Sequence, residues 1–436
     1  MFFVKKIAQK PFIRNRTDII HQKCFFLAIK LFQKRFITKS TCKFSNTYET
    51  LKFSSKTAKE MNTNMYTNQI KLVESEMSHL THNIRKLFDS CHPILDNVAN
   101  YYIQTQGKHV RPLIVLLISK VTNHAPKIPN WDNKICHKYN DPISSTNLVN
   151  DNDPDRPLSS YQIAMDTIKT DIHPSQRRLA EITEMIHTAS LLHDDVIDNS
   201  EIRRGMPSGN HVFGNKMAVL AGDYLLGRAS LALARLRNAE VIELLATVIA
   251  NLVEGEFMQL KDVFNKENDC LIFNDVLNNY LKKTYLKTAS LIAKSCRASA
   301  LLGGCTTEVA DNAYLYGKNF GLAFQLTDDM LDYTISEDTF GKPVKTDLKH
   351  GLVTAPVLFA WEKYPELGPV IKRNFSNSGD IYRTYELVIK SHGLQKTKEL
   401  AEKFSKKALN ALNLFPTSPS RLALEDLTYK ILTRTR

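Results

Sequence analysis

Between residues 177 and 198 the apolar side chains Ile182, Met185, Ile186, Ala189, Leu192 and Val196 recur at intervals of three and four. That spacing lines one face of an α-helix. The stretch 308–333 is apolar nearly all round, carrying Tyr314, Leu315, Tyr316, Phe320, Leu322, Ala323, Phe324 and Leu326. A helix with such a surface belongs at the centre of a bundle. Helical spacing continues from about residue 65 onward, and alternating strand patterns with hairpin signals are scarce. The pattern predicts an all-α body. Residues 121–173 interrupt it, with runs such as Asn150-Asp151-Asn152-Asp153-Pro154. They are read as a polar surface insertion with a short helical piece near 161–170, or alternatively as a linker between two domains. The insertion is favoured, because both flanks look like parts of one bundle.

Composition narrows the class. The chain is 43% hydrophobic with only 16 glycines and 16 prolines, which excludes disordered and collagen-like proteins. It holds no uninterrupted apolar run of the ~18 residues that a membrane-spanning helix needs. Seven cysteines without a CxxC pair argue against a disulfide framework and against a structural zinc site. They read as ordinary thiols in a reducing compartment.

The net charge of +13 is unevenly spread. Residues 1–59 hold 14 Lys/Arg against two acids, Asp18 and Glu49, so +12 sits there and only +1 remains elsewhere. A nucleic-acid-binding face on the body loses its support. Within the leader, Phe25, Ile29, Phe32 and Phe36 fall at helical spacing opposite Lys23, Lys30 and Lys34. Residues 1–60 are therefore expected to be a mitochondrial transit peptide, with a basic tail or a membrane-surface helix as the alternatives. Residues 61–436 are expected to form one helical domain.

The chemistry concentrates in acids on apolar helices. In Leu191-Leu192-His193-Asp194-Asp195-Val196-Ile197-Asp198, Asp194 and Asp198 lie one turn apart on one face, and His187 lies two turns before Asp194. Asp195 lies about 100° round the helix. Gln325, Asp328, Asp329 and Asp332 repeat the arrangement on the second helix. Carboxylates resist burial without counter-charge. Oxygen-only ligands point to Mg²⁺ or Mn²⁺, and Mg²⁺ completes its shell with water and phosphate oxygens. The clusters thus call for a phosphate-bearing ligand. Lys108, Arg111, Arg203, Arg204, Lys283 and Lys287 supply cations to receive it. No P-loop or GxGxxG string is present.

Taken in order, Gly107-Lys108-His109-Val110-Arg111-Pro112, Leu192–Asp198, Arg203-Arg204-Gly205, Lys287-Thr288-Ala289, Gln325–Asp332 and Gly341-Lys342-Pro343 resemble the trans-isoprenyl diphosphate synthases. The resemblance runs from about residue 70 to residue 436, apart from 121–173. The strings 174–181 and 252–260 resemble in particular the long-chain, hexaprenyl-type synthases of mitochondrial ubiquinone biosynthesis. It implies an isoprenoid-synthase-type helical bundle around a central cavity, working as a homodimer or larger oligomer. It also implies successive addition of isopentenyl diphosphate to an allylic diphosphate, with farnesyl or geranylgeranyl diphosphate as primer.

On that resemblance Asp194, Asp198 and Asp328 are metal ligands for two or three Mg²⁺ ions, with Mn²⁺ as a substitute. Asp195, Lys287 and Asp329 join them as catalytic residues, and Asp195, Asp329 and Asp332 complete the metal shells. Arg203, Lys287, Thr288, Gln325 and Lys342 hold the allylic diphosphate, while Lys108, Arg111, His187 and Arg204 hold isopentenyl diphosphate. Ala189 and Ser190, below Asp194, leave room for a long product. The greasy product carries an expectation of peripheral contact with the inner mitochondrial membrane, which no residue carries by itself. His109 and Lys345 depart from the usual family residues, and His193, His211 and Asp223 are read as structural. Two other readings remain: a non-catalytic subunit of a heteromeric synthase, and a terpene cyclase.

Overall fold

The two segments with the strongest apolar patterns become the two longest helices near the site. The computed structural model describes residues 67–88, 92–104, 107, 109–129, 131, 139–144, 171–260, 272–334 and 346–434. In chain order the helices are α1 (Thr67–Lys71), α2 (Glu74–Phe88), α3 (Pro93–Gln104), α4 (Val110–Asn123), α5 (Pro174–Ile197), α6 (Gly209–Phe213), α7 (Asn215–Arg235) and α8 (Ala239–Leu260). They continue as α9 (Phe273–Thr284), α10 (Ser290–Leu302), α11 (Thr307–Thr334), α12 (Thr346–Lys349), α13 (Ala355–Lys363), α14 (Leu367–Lys372), α15 (Asp380–Ser391), α16 (Gly393–Ala411) and α17 (Pro419–Thr433). The all-α expectation holds, and the expected leader at 1–60 lies outside the described residues.

Helix α5 begins where the chemistry of its first turn allows. Pro174 takes the first helical position, and the Gln176 side chain accepts the His173 backbone N–H at 3.0 Å. Leu179, Ile182, Met185, Ile186, Ala189 and Leu192 are then fully buried. Polar residues inside this core find partners, as buried groups must. Thr183 pairs with Ser295 on α10 at 3.0 Å, and Ser119 on α4 pairs with Ser299 at 2.8 Å. These hydroxyl contacts tie α4 and α5 to α10.

Between α9 and α10 the chain makes a π-helical turn, Tyr285–Ala289. Such turns insert a residue into a helix and frequently mark functional sites. Here it places Lys287 and Thr288 against different neighbours. Helix α11 approaches the turn closely because Gly317 and Gly321 lack side chains. A Cβ on Gly321 would lie 2.6 Å from Ala289 Cα, and one on Gly317 would lie 2.8 Å from Ala293 Cα. A second core, including Val276, Tyr280, Leu326, Tyr333, Val357, Leu358 and Val388, joins α9 and α11 to α13 and α15.

Three features refine the expectations. Arg203-Arg204-Gly205 sits in a two-stranded hairpin, β1 (Ile202–Arg203) paired antiparallel with β2 (Met206–Pro207). Its two central residues, Arg204 and Gly205, have φ of 55° and 77°, as the tight primed hairpin turns require. The segment 121–173 is not polar surface throughout. Val121 and Thr122 end α4 inside the core, Tyr139 and Ile172 are buried, and Trp131 packs on Gly304. The piece near 161–170 lies outside the described residues.

Helix α7 is long and apolar enough to cross a membrane by composition alone. Ala218, Ala221, Leu225 and Ala229 are buried on one face, while Met217, Val219 and Leu220 are exposed. Among the described residues Cys296 and Cys305 are buried free thiols, and burial raises the pKa of both.

Gly321→Val should destabilise the protein by about 1–3 kcal/mol, because a branched side chain overpacks the α11–turn contact. Urea unfolding followed by circular dichroism measures this. A midpoint equal to the parent's would contradict the tight backbone approach.

Candidate active site

The residues singled out in the sequence fall into three neighbouring groups. The first surrounds the N-terminal end of α4. His109, in the left-handed region at φ 43°, directs Nδ1 to Glu184 Oε1 at 2.9 Å. Arg111 donates from Nη1 to His187 Nε2 at 2.9 Å, which leaves His187 neutral with its proton on Nδ1. Burial, then the Arg111 charge, push the His187 pKa well below its ordinary value. The Arg111 Nε is buried without a partner.

Arg204 enters the same group from the hairpin. Its guanidinium occupies the space that a Gly107 side chain would fill, since a Cβ there would lie 2.4 Å from Nη1. A small cleft is lined by Tyr102, His109, Glu184, Thr188, Arg203 and Arg204, among others. Burial alone would raise the Glu184 pKa. The hydrogen bond and charge of His109, with the Arg111 charge, outweigh it and hold Glu184 down to about 2. One carboxylate thus faces several cations, a balance suited to a polyanion. Lys108 lies outside the described residues.

The second group forms at the C-terminal end of α5. Asp194 is pushed up to about 7 by burial and by the neighbouring charge of Glu256, with Lys287 and Arg203 opposing and Asp198 adding to the rise. Asp198 caps the helix and is exposed, its N–H donating to the Asp194 carbonyl at 2.8 Å. Asp195 departs from the expectation that it completes the metal site. It is fully buried, accepting from Tyr102 at 2.5 Å and from Arg203 Nε at 2.6 Å. Its position round the helix from Asp194 turns it into the protein, where it orients Arg203.

The third group lies on α11, and its middle aspartate behaves alike. Asp329 is buried and receives hydrogen bonds from the Tyr280 hydroxyl and, at 3.0 Å, from Gln325 Nε2. It too is occupied by protein donors. Asp332 accepts from the Asp347 N–H at 3.2 Å. Burial and the charges of Asp329 and Asp332 push Asp347 up to about 8. Asp328 pairs with Arg434, whose guanidinium lies 4.5 Å from the Phe324 ring centroid. Lys342 and the departing Lys345 lie outside the described residues.

The π-helical turn connects the second and third groups. Lys287 contacts Glu256 at 2.6 Å, beside Asp194, and Thr288 donates to Gln325 at 2.9 Å, beside Asp329. Two adjacent residues thereby reach toward different acid clusters. Sequence reasoning missed Glu184, Glu256, Tyr102, Tyr280, Asp347 and Arg434. Glu184 was detectable three residues before His187 on the same face, and Glu256 within Glu254-Gly255-Glu256. Nothing local marked the tyrosines or Arg434.

No three carboxylates or imidazoles among the described residues form a ready-made metal cage. The donor set nonetheless fits magnesium. Half-buried carboxylates raise one another's proton affinity, and their hard oxygens match an ion that keeps positions for water and phosphate.

An all-helical bundle that turns two aspartate clusters and an arginine-histidine pocket toward one region is built to hold diphosphates. The family described as Polyprenyl synthetase matches residues 154–388, and the chain belongs to that family of prenyltransferases. It is 58% identical over 370 residues to a probable mitochondrial hexaprenyl pyrophosphate synthase of Neurospora crassa, covering 84% of this chain and 82% of that one. It is 45% identical over 431 residues to the mitochondrial hexaprenyl pyrophosphate synthase of Saccharomyces cerevisiae, covering 85% and 91%. A polyprenyl synthase from Caulobacter crescentus, crystallised with calcium and isoprenyl diphosphate, superposes with a TM-score of 0.67 at 28% identity, covering 85% and 98%.

The Asp194 environment makes a pH prediction. Between its ordinary value of 3.8 and about 7 the native state holds a proton that the unfolded chain has released. This group's contribution to stability is therefore full below the window and falls as pH rises through it. In metal-free buffer Asp194→Asn should match the parent near pH 3.8 and be more stable above about pH 7. Denaturant unfolding across that range measures it, and a constant difference between the two proteins would contradict the burial argument.

Proposed function

We propose that this protein is a mitochondrial all-trans-polyprenyl diphosphate synthase, adding isopentenyl diphosphate repeatedly to an allylic primer to make the hexaprenyl-class side chain of ubiquinone. The carrying observation is the Lys287–Thr288 step, which sets a cation beside the first acid cluster and a hydroxyl beside the second.

Asp194, Asp198 and Asp328 would hold two or three magnesium ions, Asp328 exchanging its Arg434 partner for metal. Magnesium, when bound, supplies positive charge to offset the charge that develops on the departing diphosphate. Arg203, Lys287, Thr288, Gln325 and Lys342 hold that diphosphate and assist its departure. Asp195 and Asp329 act behind them, fixing Arg203 and Gln325. Arg111, Arg204, neutral His187 and Lys108 hold the diphosphate of isopentenyl diphosphate, with the free Arg111 Nε as one donor.

The cation-like allylic carbon needs walls that exclude water, which the apolar helices provide. The isopentenyl double bond then forms the new carbon–carbon bond, and a proton is lost to the departed diphosphate. No side-chain nucleophile is needed.

Below Asp194, Ala189 is buried and Ser190 is half-buried, so these two positions put no bulky side chain of their own in the path of a growing product. Helix α5 has 24 residues, roughly 36 Å at about 1.5 Å per residue, enough for about six isoprene units. The exposed apolar side chains Val253 and Phe257 on α8 and Met217, Val219 and Leu220 on α7 support assembly as a homodimer or larger oligomer.

Asp194→Ala and Asp328→Ala should each lower turnover by at least ~10³-fold while circular dichroism stays unchanged. Near-parental rates in either would contradict the metal assignment. Given Mg²⁺, farnesyl diphosphate and isopentenyl diphosphate, the purified chain should yield hexaprenol-class alcohols after dephosphorylation and chromatography. Cyclised hydrocarbon from farnesyl diphosphate alone would favour a cyclase. Activity only after adding a second subunit would favour the heteromeric reading.

A further inference from the structure

Lys287 does not stand alone in the cleft. Its ammonium lies 2.6 Å from Glu256 Oε1 and donates to Gln259 Oε1 at 2.7 Å. Both acceptors belong to α8, on one face and three residues apart. Between them and the lysine backbone lies Gly255, where a Cβ would sit 2.5 Å from Lys287 Cγ and 3.3 Å from the Lys287 backbone N. The aliphatic stem of Lys287 therefore rests directly on the α8 backbone. Lys287 and Glu256 are 24% and 14% exposed, so the pair is mostly shielded from water yet still reachable from solvent.

From this geometry we infer that Gly255, Glu256 and Gln259 form a bed that positions Lys287, with Glu256 as the principal positioning residue for diphosphate departure. The inference rests on reading Lys287 as an allylic-diphosphate contact. An ammonium has three N–H donors. Gln259 engages one at 2.7 Å and the Glu256 carboxylate holds the ammonium as an ion pair at 2.6 Å, which leaves donor capacity for an arriving phosphate oxygen. A free lysine side chain loses conformational entropy when it is fixed. The bed has fixed it beforehand, so less ordering remains to be done at the transition state. Glu256 acts through Lys287 and touches no reacting atom. Its carboxylate lies within ion-pair distance of the ammonium, while Gln259 adds direction without charge.

A double-mutant cycle tests this on the full-length protein, reading kcat and KM for farnesyl diphosphate with saturating isopentenyl diphosphate and Mg²⁺. Glu256→Ala should lower kcat by about ten- to a hundredfold, as expected for a misplaced charged group, with a smaller change in KM. Glu256→Gln, which keeps an acceptor of the same shape, should recover part of the loss.

In a Lys287→Ala background, Glu256→Ala should cost less than about twofold, because residues acting through one contact are not additive. Gly255→Ala, which disturbs the stem without altering charge, should show the same dependence on Lys287, and it keeps the test open if Glu256→Ala does not fold. The Mg²⁺ concentration for half-maximal rate should stay within about twofold of the parent in Glu256→Gln.

Full multiplication of the Glu256→Ala and Lys287→Ala losses, or a parental rate in Glu256→Ala, overturns the bed while leaving the diphosphate reading intact. A large shift in the Mg²⁺ requirement of Glu256→Gln would make Glu256 a metal-facing residue and also overturns it. Near-parental turnover in Lys287→Ala would instead remove Lys287 from the site and take the proposed reading of that residue with it.

Discussion

Like charges held in a poorly solvated helical bundle are the constraint on which the architecture turns. Asp194 faces Glu256 and Asp198, and Asp347 faces Asp329 and Asp332. In water such neighbours would cost little. Among apolar helices they favour protonation or a cation. The surrounding protein supplies only part of that positive charge, through Lys287, Arg203 and Arg434. The remaining demand suits a divalent cation, which on the proposed reading also carries the diphosphate. A bundle filled by ordinary apolar side chains at these positions would be more comfortable, and it would have nothing to offer a diphosphate.

The middle aspartate of each cluster shows how the fold stabilises this arrangement. Asp195 is gripped by Tyr102 and Arg203, and Asp329 by Tyr280 and Gln325. Each grip joins one buried tyrosine from a neighbouring helix to one polar group of the site. Buried carboxylates satisfied in this way are strong local fixtures. The outer aspartates lie outside these grips: Asp194 stands near Lys287 and Arg203, and Asp328 pairs with Arg434. The close approach of Gly321 to Ala289 sets the distance over which Thr288 meets Gln325. Backbone packing in the core and hydrogen bonding in the site are therefore one continuous constraint.

Much of this was legible in the sequence, for reasons that periodicity explains. The apolar spacing of 177–198 and 308–333 revealed both site helices, and offsets of three and four placed Asp194 with Asp198 and Gln325 with Asp328. The same geometry puts Asp195 off the stripe, yet its burial depends on Tyr102, distant in sequence. Glu256 escaped notice because a lone acid on a helix reads as solvated until its partner Lys287 is seen. The Arg203–Arg204 hairpin was hidden because two-residue strands leave no alternating pattern. Ordered residues such as Trp131 and Tyr139 within 121–173 were masked by polar neighbours. Tertiary contacts, and not local propensity, decided each of these.

The central claim is that both acid clusters act on one metal–diphosphate assembly. The most direct measurement is a Mn²⁺ titration by electron paramagnetic resonance, with and without a non-reactive farnesyl thiodiphosphate, on the parent, Asp194→Asn and Asp328→Asn. The account predicts weak Mn²⁺ uptake alone, tight uptake of more than one ion with the thiodiphosphate, and loss of tight uptake in either variant. Tight uptake without the thiodiphosphate, or uptake untouched by removing one of the two carboxylates, would contradict it.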